Sequence, residues 1–242
     1  MAHFYLNEHF GTAEVGTLVS LEGAEARHAV SVSRVQVGET LRIGNGAGLV
    51  ATGTVETATP HELSLRVETV EVTAAASPVV WLAQALAKGD RDELAVQAAT
   101  ELGVDGVIPW ASKRSIVKWE GAKVRKGHDR WSAIVREASK QSIRSWIPEV
   151  AALASTAVLC ALAAEARMLV LDPEAENPLS GVRTDGRDLV LVVGPEGGIS
   201  DPELDQFARA GAERVSLGSP ILRTSTAGPA AIAVLNTALG RW

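Results

Sequence analysis

The residues that decide the fold run from 188 to 239 and read DLVLVVGPEGGISDPELDQFARAGAERVSLGSPILRTSTAGPAAIAVLNTAL. The five apolar residues from Leu189 to Val193 are too few for a helix. They predict a strand that is buried on both faces, as in a parallel sheet. A glycine-rich loop follows. Ser200 and the Asp-Pro-Glu after it then predict a helix that ends before Gly211.

A second strand with its own loop follows in the same stretch. Arg214 to Leu217 predict the strand, and Gly218 to Arg223 predict the loop. The last helix is expected to be capped by Thr224, Ser225 or Thr226. Because open α/β sheets bind ligands at the carboxyl ends of their strands, these two loops are the expected position of a ligand site.

Composition restricts the class of protein. The chain has 242 residues, 46% of them hydrophobic and 21% charged, and one cysteine, which excludes an internal disulfide framework. The longest apolar segment, residues 150–164, is shorter than the roughly 20 residues that cross a bilayer. The first ten residues lack the pattern of a signal peptide, so a cytoplasmic location is expected.

The charge is distributed unevenly along the chain. The formal net charge is -6, yet residues 113–144 hold ten Lys or Arg against three Asp or Glu. A basic segment in an acidic protein is typical of a phosphate-binding surface. A solvated helix face explains the same excess equally well.

Two domains are expected, with a boundary in the small-residue linker at residues 74–78. Residues 1–73 predict a small barrel or sandwich, because short runs of alternating polarity are separated by turn residues. Gly44 to Gly48 are interpreted as a hairpin turn and not as a dinucleotide loop, since no helical pattern follows them. Residues 74–242 predict alternating strands and helices with a parallel sheet. The elements expected there are strands at 79–86, 107–110 and 167–172 and helices at 90–102 (with Asp90 and Glu93 as a capping box), 129–141 and 150–166.

The loop chemistry by itself indicates only a class of ligand. Residues 195–198 lack the Lys-Ser/Thr of a P-loop and the spacing of a dinucleotide fingerprint. They present backbone amides and Glu196 opposite apolar Ile221 and Leu222 and cationic Arg223. Such walls suit a ligand with an aromatic ring and polar ends.

Several long motifs resemble one known family. LVVGPEGGIS (191–200) and LGSPILRTSTAGPAAIAVLN (217–236) are similar to the cofactor loops of the SPOUT methyltransferases. KGDRDELAVQAATELGV (88–104), KRS (113–115) and RWSAIVREASKQSIRSWIPEV (130–150) are similar to segments of the RsmE family within that superfamily. RsmE enzymes methylate N3 of a uridine in 16S ribosomal RNA of the small subunit. The resemblance implies an α/β fold, with a SPOUT-type trefoil-knotted parallel-sheet domain (74–242) preceded by a PUA-like β-barrel RNA-binding domain (1–73).

The resemblance also implies S-adenosylmethionine as cofactor and no metal. The residues implied in cofactor binding are Leu171, Gly194, Pro195, Glu196, Gly197, Gly198, Leu217, Gly218, Ile221, Leu222 and Thr224. Many relatives have an acidic residue where this chain has Ser225, so a catalytic carboxylate is absent at that position.

Glu196 and Arg223 are the expected catalytic residues. Glu196 is a candidate to accept the N3 proton or to orient the base, and Arg223 is a candidate to stabilise charge on the uracil oxygens. The alternative for Glu196 is a carboxylate that braces its loop through backbone N–H groups. The alternative for Arg223 is an ion pair with that carboxylate.

The expected RNA contacts are polar residues from both predicted domains. They are Arg27, His28, Arg34, Lys88, Arg91, Lys113, Arg114, Gln141 and Arg144. The resemblance implies a homodimer that acts on 16S ribosomal RNA, with the assembled small subunit as the expected substrate and no membrane as partner. Two other functions fit the residues: an RNA-binding assembly factor without catalysis, and a small-molecule enzyme that uses another nucleotide.

Overall fold

The structure, a computed structural model, describes residues 4–242 and divides into two compact units. One unit contains the chain up to Ala75 together with Ser139–Ile147, and the other contains Ala76–Ala138 and Pro148–Trp242. Residues 1–3 belong to the predicted first domain and to the segment inspected for a signal peptide, and they lie outside the described residues. The boundary at 73/74, with its assignment of functions, stays a prediction.

The first unit is built on a five-stranded sheet with the order β1-β3-β4-β5-β2. Strand β1 pairs in parallel with β3, and the other neighbours are antiparallel. The strands are β1 (Phe4–Leu6), β2 (Leu18–Glu22), β3 (Thr40–Gly44), β4 (Leu49–Ala58) and β5 (Glu62–Val72). The hairpin turn predicted after Gly44 therefore connects β3 and β4. Strand β1 was not predicted, because three residues are too few to show alternation.

Alternating side chains of these strands form the core of the first unit. Val19, Leu21, Leu63 and Leu65 are buried there against Tyr5. A short helix, α1 (Gly23–Arg27), continues directly into a π-helical turn at His28–Val32. Arg27 and His28 thus lie on helical backbone, as expected, whereas Arg34 follows the turn with a positive φ of 59°.

The second unit is built on a six-stranded sheet in which every pair is parallel. Its order is β11-β9-β10-β6-β7-β8. The strands are β6 (Val80–Ala85), β7 (Gly106–Trp110), β8 (Glu149–Val150), β9 (Arg167–Leu171), β10 (Leu189–Val193) and β11 (Glu213–Val215). All five residues of β10 are buried between β9 and β6, which confirms the prediction from the apolar run.

Helices cover both faces of this sheet. The helices of the unit are α2 (Arg91–Glu101), α3 (Ala122–Gln141), α4 (Thr156–Leu162), α5 (Asp201–Arg209) and α6 (Thr224–Ala238), and the last residues of α3 belong to the first unit. Leu159 of α4 and Phe207 of α5 pack with Ala83 of β6 in one core cluster. Gly228 of α6 lies against Leu82, which points to the other face because successive strand residues alternate.

The helix predicted at residues 150–166 is wrong. Residues 149–150 form β8, and the Ala151 N–H donates to Val107 O at 2.9 Å. The Ala154 N–H donates to Pro109 O at 2.8 Å. Pairing along β7 thus takes the backbone groups that a helix would have used. The helix begins only after Ser155, whose hydroxyl accepts from Val158 N–H at 3.3 Å.

Three predicted helix starts also need correction. Asp90 has φ 58° and makes no capping hydrogen bond, so the capping box with Glu93 does not form. Helix α3 begins at residue 122 and not at 129. Arg223 occupies the N-cap position of α6 in place of Thr224, Ser225 or Thr226. In contrast, the start of α5 is as predicted, because Glu203 Oε2 accepts from Ser200 N–H at 3.1 Å.

The fold class is that expected: an α/β unit with a parallel sheet and a β-rich unit at the amino-terminal side of the sequence. Across residues 4–242, none of the helices combines the length and the apolar composition needed to cross a bilayer.

Candidate functional site

A cavity of about 680 Å³ lies in the second unit. Its walls come from the loops after β9, β10 and β11, which are neighbours in the sheet. The cavity is therefore at the carboxyl edge of the strands, where open parallel sheets bind ligands. Every residue predicted for cofactor binding lines it except Gly197, and both predicted catalytic residues line it too.

The loop after β10 contains a tight turn. The Gly198 N–H donates to Pro195 O at 2.9 Å, and Gly198 has a φ of +70°, which favours glycine. A side chain at Gly194 would place its Cβ 2.7 Å from Ile199 Cγ1. These glycines therefore shape the backbone of the loop.

Thr224 connects this loop to the loop after β11. Its hydroxyl donates to Gly194 O at 2.8 Å and accepts from Gln84 Nε2 at 2.8 Å. Gln84 is fully buried near the carboxyl end of β6, so the connection is fixed to the sheet. The start of α6 and the glycine loop are thereby held at a set distance across the cavity.

Glu196 is bound by donors from the start of α2. Its Oε1 accepts from Lys88 N–H at 2.9 Å and from Arg91 Nη1 at 3.1 Å. Partial burial acts to raise the pKa of this carboxyl, but its own N–H, the Lys88 N–H and Arg91 together lower the pKa below its ordinary value. Glu196 is therefore ionised and braced, and a carboxylate with a lowered pKa is a weaker proton acceptor.

Arg114 also braces this loop. Its Nη1 donates to Gly197 O at 3.0 Å and to Ile199 O at 3.2 Å. Arg91 and Arg114 were predicted as RNA contacts, and this stays a prediction; in the structure their guanidinium groups hydrogen-bond to cavity loops. These contacts could not be read from the sequence, because each partner is more than eighty residues away.

Glu203 is buried and connects several segments, whereas the sequence placed it only in the first turn of a helix. Its Oε1 accepts from Lys113 N–H at 2.8 Å and from Thr156 Oγ1 at 3.0 Å, and its Oε2 accepts from Ser200 Oγ at 2.6 Å. Burial acts to raise the pKa of Glu203, but these hydrogen bonds outweigh it and lower the pKa. The carboxylate joins three segments next to the cavity.

The third wall contains residues that the sequence did not single out beyond Leu171. Asp172, Pro173 and Glu174 follow β9 and line the cavity. Asp172 is 8% exposed, pairs with Arg214 through Nε at 2.6 Å, and accepts from Glu174 N–H at 2.9 Å. The Asp-Pro that ends the strand was the available signal, since ligand-binding residues often follow buried parallel strands.

The loop after β11 contributes apolar side chains and a cation to the cavity wall. Ile221 is 80% exposed and lines the cavity beside Leu222. Arg223 is exposed, and among residues 4–242 its side chain takes part in no ion pair, because Glu196 pairs with Arg91 instead. The alternative of an Arg223–Glu196 pair is therefore not realised.

The remaining predicted RNA contacts lie in both units. Lys113 is exposed in the second unit, and Lys88 meets Glu196 through its backbone. Five residues are in the first unit: Arg27, His28, Arg34, Gln141 and Arg144. Within the described part of the chain, no three His, Cys, Asp or Glu side chains are grouped so that they could hold a metal ion.

Comparison with known proteins identifies two domain families. Residues 75–236 match the RNA methyltransferase domain, and residues 21–68 match the RNA methyltransferase PUA domain. The chain is 40% identical to the ribosomal RNA small subunit methyltransferase E of Mycobacterium tuberculosis, covering 95% of this chain and 90% of the relative. It is 30% identical to the protein of the same name from Bacillus subtilis, covering 86% and 85%.

Solved structures agree with the sequence matches. The ribosomal RNA small subunit methyltransferase E of Neisseria gonorrhoeae, bound to S-adenosyl methionine, has a TM-score of 0.88 at 30% identity and 98% coverage of both chains. A putative methyltransferase of Legionella pneumophila with bound cofactor SAM has a TM-score of 0.85, also at 30% identity and 98% coverage of both. The resemblance to RsmE is confirmed, while the trefoil knot stays a prediction. The chain therefore belongs to the RNA methyltransferase family that comprises the ribosomal RNA small subunit methyltransferases E.

Proposed function

We propose that this protein transfers a methyl group from S-adenosylmethionine to N3 of a specific uridine in 16S ribosomal RNA. The observation that carries the proposal is the cavity at the carboxyl edge of β9, β10 and β11, in a chain that superimposes on a relative solved with S-adenosyl methionine. Its walls come from the three loops in which the sequence placed the cofactor residues.

The cavity fits the proposed cofactor in size and chemistry. Its volume of about 680 Å³ lies within the range of small-molecule sites. Leu171, Leu217, Ile221 and Leu222 supply apolar walls for an adenine ring, and the loop at 194–198 supplies backbone groups for its edges. Asp172 and Glu196 supply negative charge for the cationic groups of the methionine portion.

When bound, the cofactor supplies an electrophilic methyl group on a sulfonium. N3 of uridine is a poor nucleophile until its proton leaves, and the transfer is an in-line displacement, so positioning by the loops carries much of the catalysis. Arg223 lines the cavity, and its guanidinium has no ion pair among the described residues, which suits it to stabilise charge on the uracil oxygens. Glu196, already braced, is better suited to hold the glycine loop than to take the proton.

The proposal extends to partners and location. Residues 1–73 are proposed as the PUA-like RNA-binding domain and residues 74–242 as the domain for cofactor binding, catalysis and dimerisation. The substrate is proposed to be 16S ribosomal RNA within the assembled small subunit, and the location is proposed to be the cytoplasm. A homodimer is proposed from the family resemblance.

Nucleoside mass spectrometry tests this function. Small subunits from a strain that lacks this methyl group are incubated with the protein and S-adenosylmethionine, and their RNA is then digested. We expect 3-methyluridine at one position per 16S RNA. Folded protein that binds both cofactor and subunits but forms no methylated nucleoside would instead support an RNA-binding assembly factor without catalysis.

A further inference from the structure

Residues 113–126, here called the basic strap, form a charged surface of which only Arg114 lines the cavity. The strap holds six Lys or Arg and a single acid, Glu120. All six cations are exposed, and five of them have no ion pair or side-chain hydrogen bond among residues 4–242. These five are Lys113, Lys118, Lys123, Arg125 and Lys126.

Several cations elsewhere in the same unit have a counter-charge, in contrast to the five of the strap. Arg91 pairs with Glu196, Arg130 with Glu93 and Arg167 with Glu213. The chain has more Asp and Glu than Lys and Arg, so carboxylates are available, yet the strap has almost none. An uncompensated run of cations on an acidic protein is the pattern of a surface that binds an external polyanion.

One end of the strap is fixed to the wall of the cavity. Arg114 donates to Gly197 O and Ile199 O, and the Lys113 N–H donates to the buried carboxylate of Glu203. These contacts tie the strap to the loop that follows β10. A polyanion on the strap is therefore held next to the opening of the cavity.

The other end is fixed by aromatic packing on α3. Trp119 meets Trp131 edge to face, with ring centroids 5.4 Å apart, and Trp131 is 1% exposed. A side chain at Gly127 would place its Cβ 2.3 Å from the Trp119 ring, so the helix surface is shaped to that ring. The strap is thus a fixed surface that is ordered without a ligand.

The strap continues into the first turn of α3, where its charges are unfavourable without a partner. Lys123 and Arg125 lie in this turn and Lys126 follows directly after it, and the turn contains no acidic residue. Cations next to the positive end of a helix destabilise it, and an anion that binds these side chains removes the repulsion.

We propose that the basic strap binds the sugar-phosphate backbone of a single-stranded RNA segment next to the nucleotide that enters the cavity. This proposal rests on the proposed function, and it adds Lys118, Lys123, Arg125 and Lys126 to the residues expected to contact RNA. Arg114 acts in it as the link between strap and cavity, and Lys113, at the anchored end, is the cation nearest to that link.

The test compares two variants with equal loss of charge. The strap variant is K118Q/K123Q/K126Q, and the control is R183Q/R187Q/R209Q, whose residues are exposed in the same unit and do not line the cavity. The probe is a 16S ribosomal RNA transcript, and its affinity is measured across a salt series. Thermal melting and S-adenosylmethionine calorimetry establish that both variants remain folded and cofactor-competent.

We expect the salt dependence to become weaker in the strap variant. The magnitude of the slope of log affinity against log salt should fall by about two, since three lysines are removed and each single-strand phosphate contact contributes roughly 0.7. Its affinity should fall roughly 10- to 100-fold at physiological salt, while the control stays within twofold of the wild type. Cofactor affinity should be unchanged in both variants.

Each other outcome has a separate meaning. Equal slopes and affinities for strap variant and control overturn the strap proposal, whether or not the wild type methylates RNA. Wild-type protein that binds RNA through the strap but transfers no methyl group overturns the proposed function and leaves the strap proposal standing. Competition by poly-L-glutamate as strong as that by RNA of equal charge overturns the nucleic-acid assignment in favour of an acidic protein.

Discussion

At the scale of single residues, the two glutamates beside the cavity hold loops in place through ionised carboxylates. Glu196 receives donors from the start of α2, and Glu203 receives them from three segments. Hydrogen bonds lower the pKa of each against the effect of burial. Both carboxyls therefore remain charged at neutral pH, and their expected function is positioning.

Replacement of Glu196 distinguishes bracing from proton transfer. In Glu196→Gln the ion pair with Arg91 is lost, and we expect cofactor affinity and methylation rate to fall together by roughly fivefold, which corresponds to about 1 kcal/mol. Calorimetry and single-turnover rates measure the two effects. The matched control is Glu174→Gln, which removes an exposed carboxylate from the same cavity. A rate that falls more than 100-fold at unchanged cofactor affinity would show that Glu196 takes the proton.

Replacement of Glu203 should destabilise the protein in a pH-dependent way. We expect Glu203→Gln to lose about 2–3 kcal/mol of unfolding free energy at neutral pH, because buried donors lose a charged acceptor. A lowered folded-state pKa gives stability that is present above the ordinary glutamate pKa and lost as the pH falls through the lowered value. The difference from wild type should therefore shrink in acid.

Denaturant unfolding between neutral and acidic pH measures this difference. Asp205→Asn is the control, since it removes an exposed carboxylate from the same helix. A deficit for Glu203→Gln that grows as the pH falls would disprove the assigned ionisation state.

At the scale of elements, Thr224 connects α6 to the glycine loop and to the sheet. In Thr224→Val the shape of the side chain is kept, but Gly194 O loses the hydroxyl donor and Gln84 Nε2 keeps only Ala85 O as acceptor. We expect a loss of about 1–3 kcal/mol in unfolding free energy and weaker cofactor binding, because two buried hydrogen bonds are lost. Chemical denaturation and calorimetry measure both. Thr226→Val, on the exposed side of the same helix, should change neither, and equal effects of the two variants would refute the connection.

Elements with strong local signals were predictable from the sequence. The apolar run of β10 and the cap of α5 determine their own structure, and the glycine loop between them follows directly. The helix predicted over residues 150–154 was wrong, because their alanine-rich sequence favours a helix but their backbone groups form hydrogen bonds with β7 instead. The capping box predicted at Asp90 was wrong, because its left-handed backbone keeps its side chain from capping α2.

The site was predictable to the same extent and for the same reason. Loops that follow buried parallel strands can be located from apolar runs, so most of the residues predicted for cofactor binding line the cavity. The braces were not predictable, because Arg91, Arg114 and Glu203 reach partners that are far away in the sequence. The sequence does not show whether a charged residue contacts RNA or another loop of the protein.

At the scale of the whole molecule, the first unit is expected to contribute RNA affinity without affecting the cofactor. Arg27 and Arg34 are exposed there, and neither has an ion pair among the described residues. We expect R27Q/R34Q to weaken binding of 16S ribosomal RNA several-fold and to reduce the salt slope by about one to two, with unchanged cofactor affinity. Filter binding across a salt series measures this. An unchanged slope would remove both residues from the RNA-binding surface.

The central claim is that the loops after β9, β10 and β11 enclose the methyl donor. A crystal structure of this protein with S-adenosylmethionine tests it most directly. We predict the donor in the cavity, with its adenine ring against Leu217 to Leu222 and its methyl group near Arg223. Density for the donor at another site, with this cavity filled by solvent, would contradict the account.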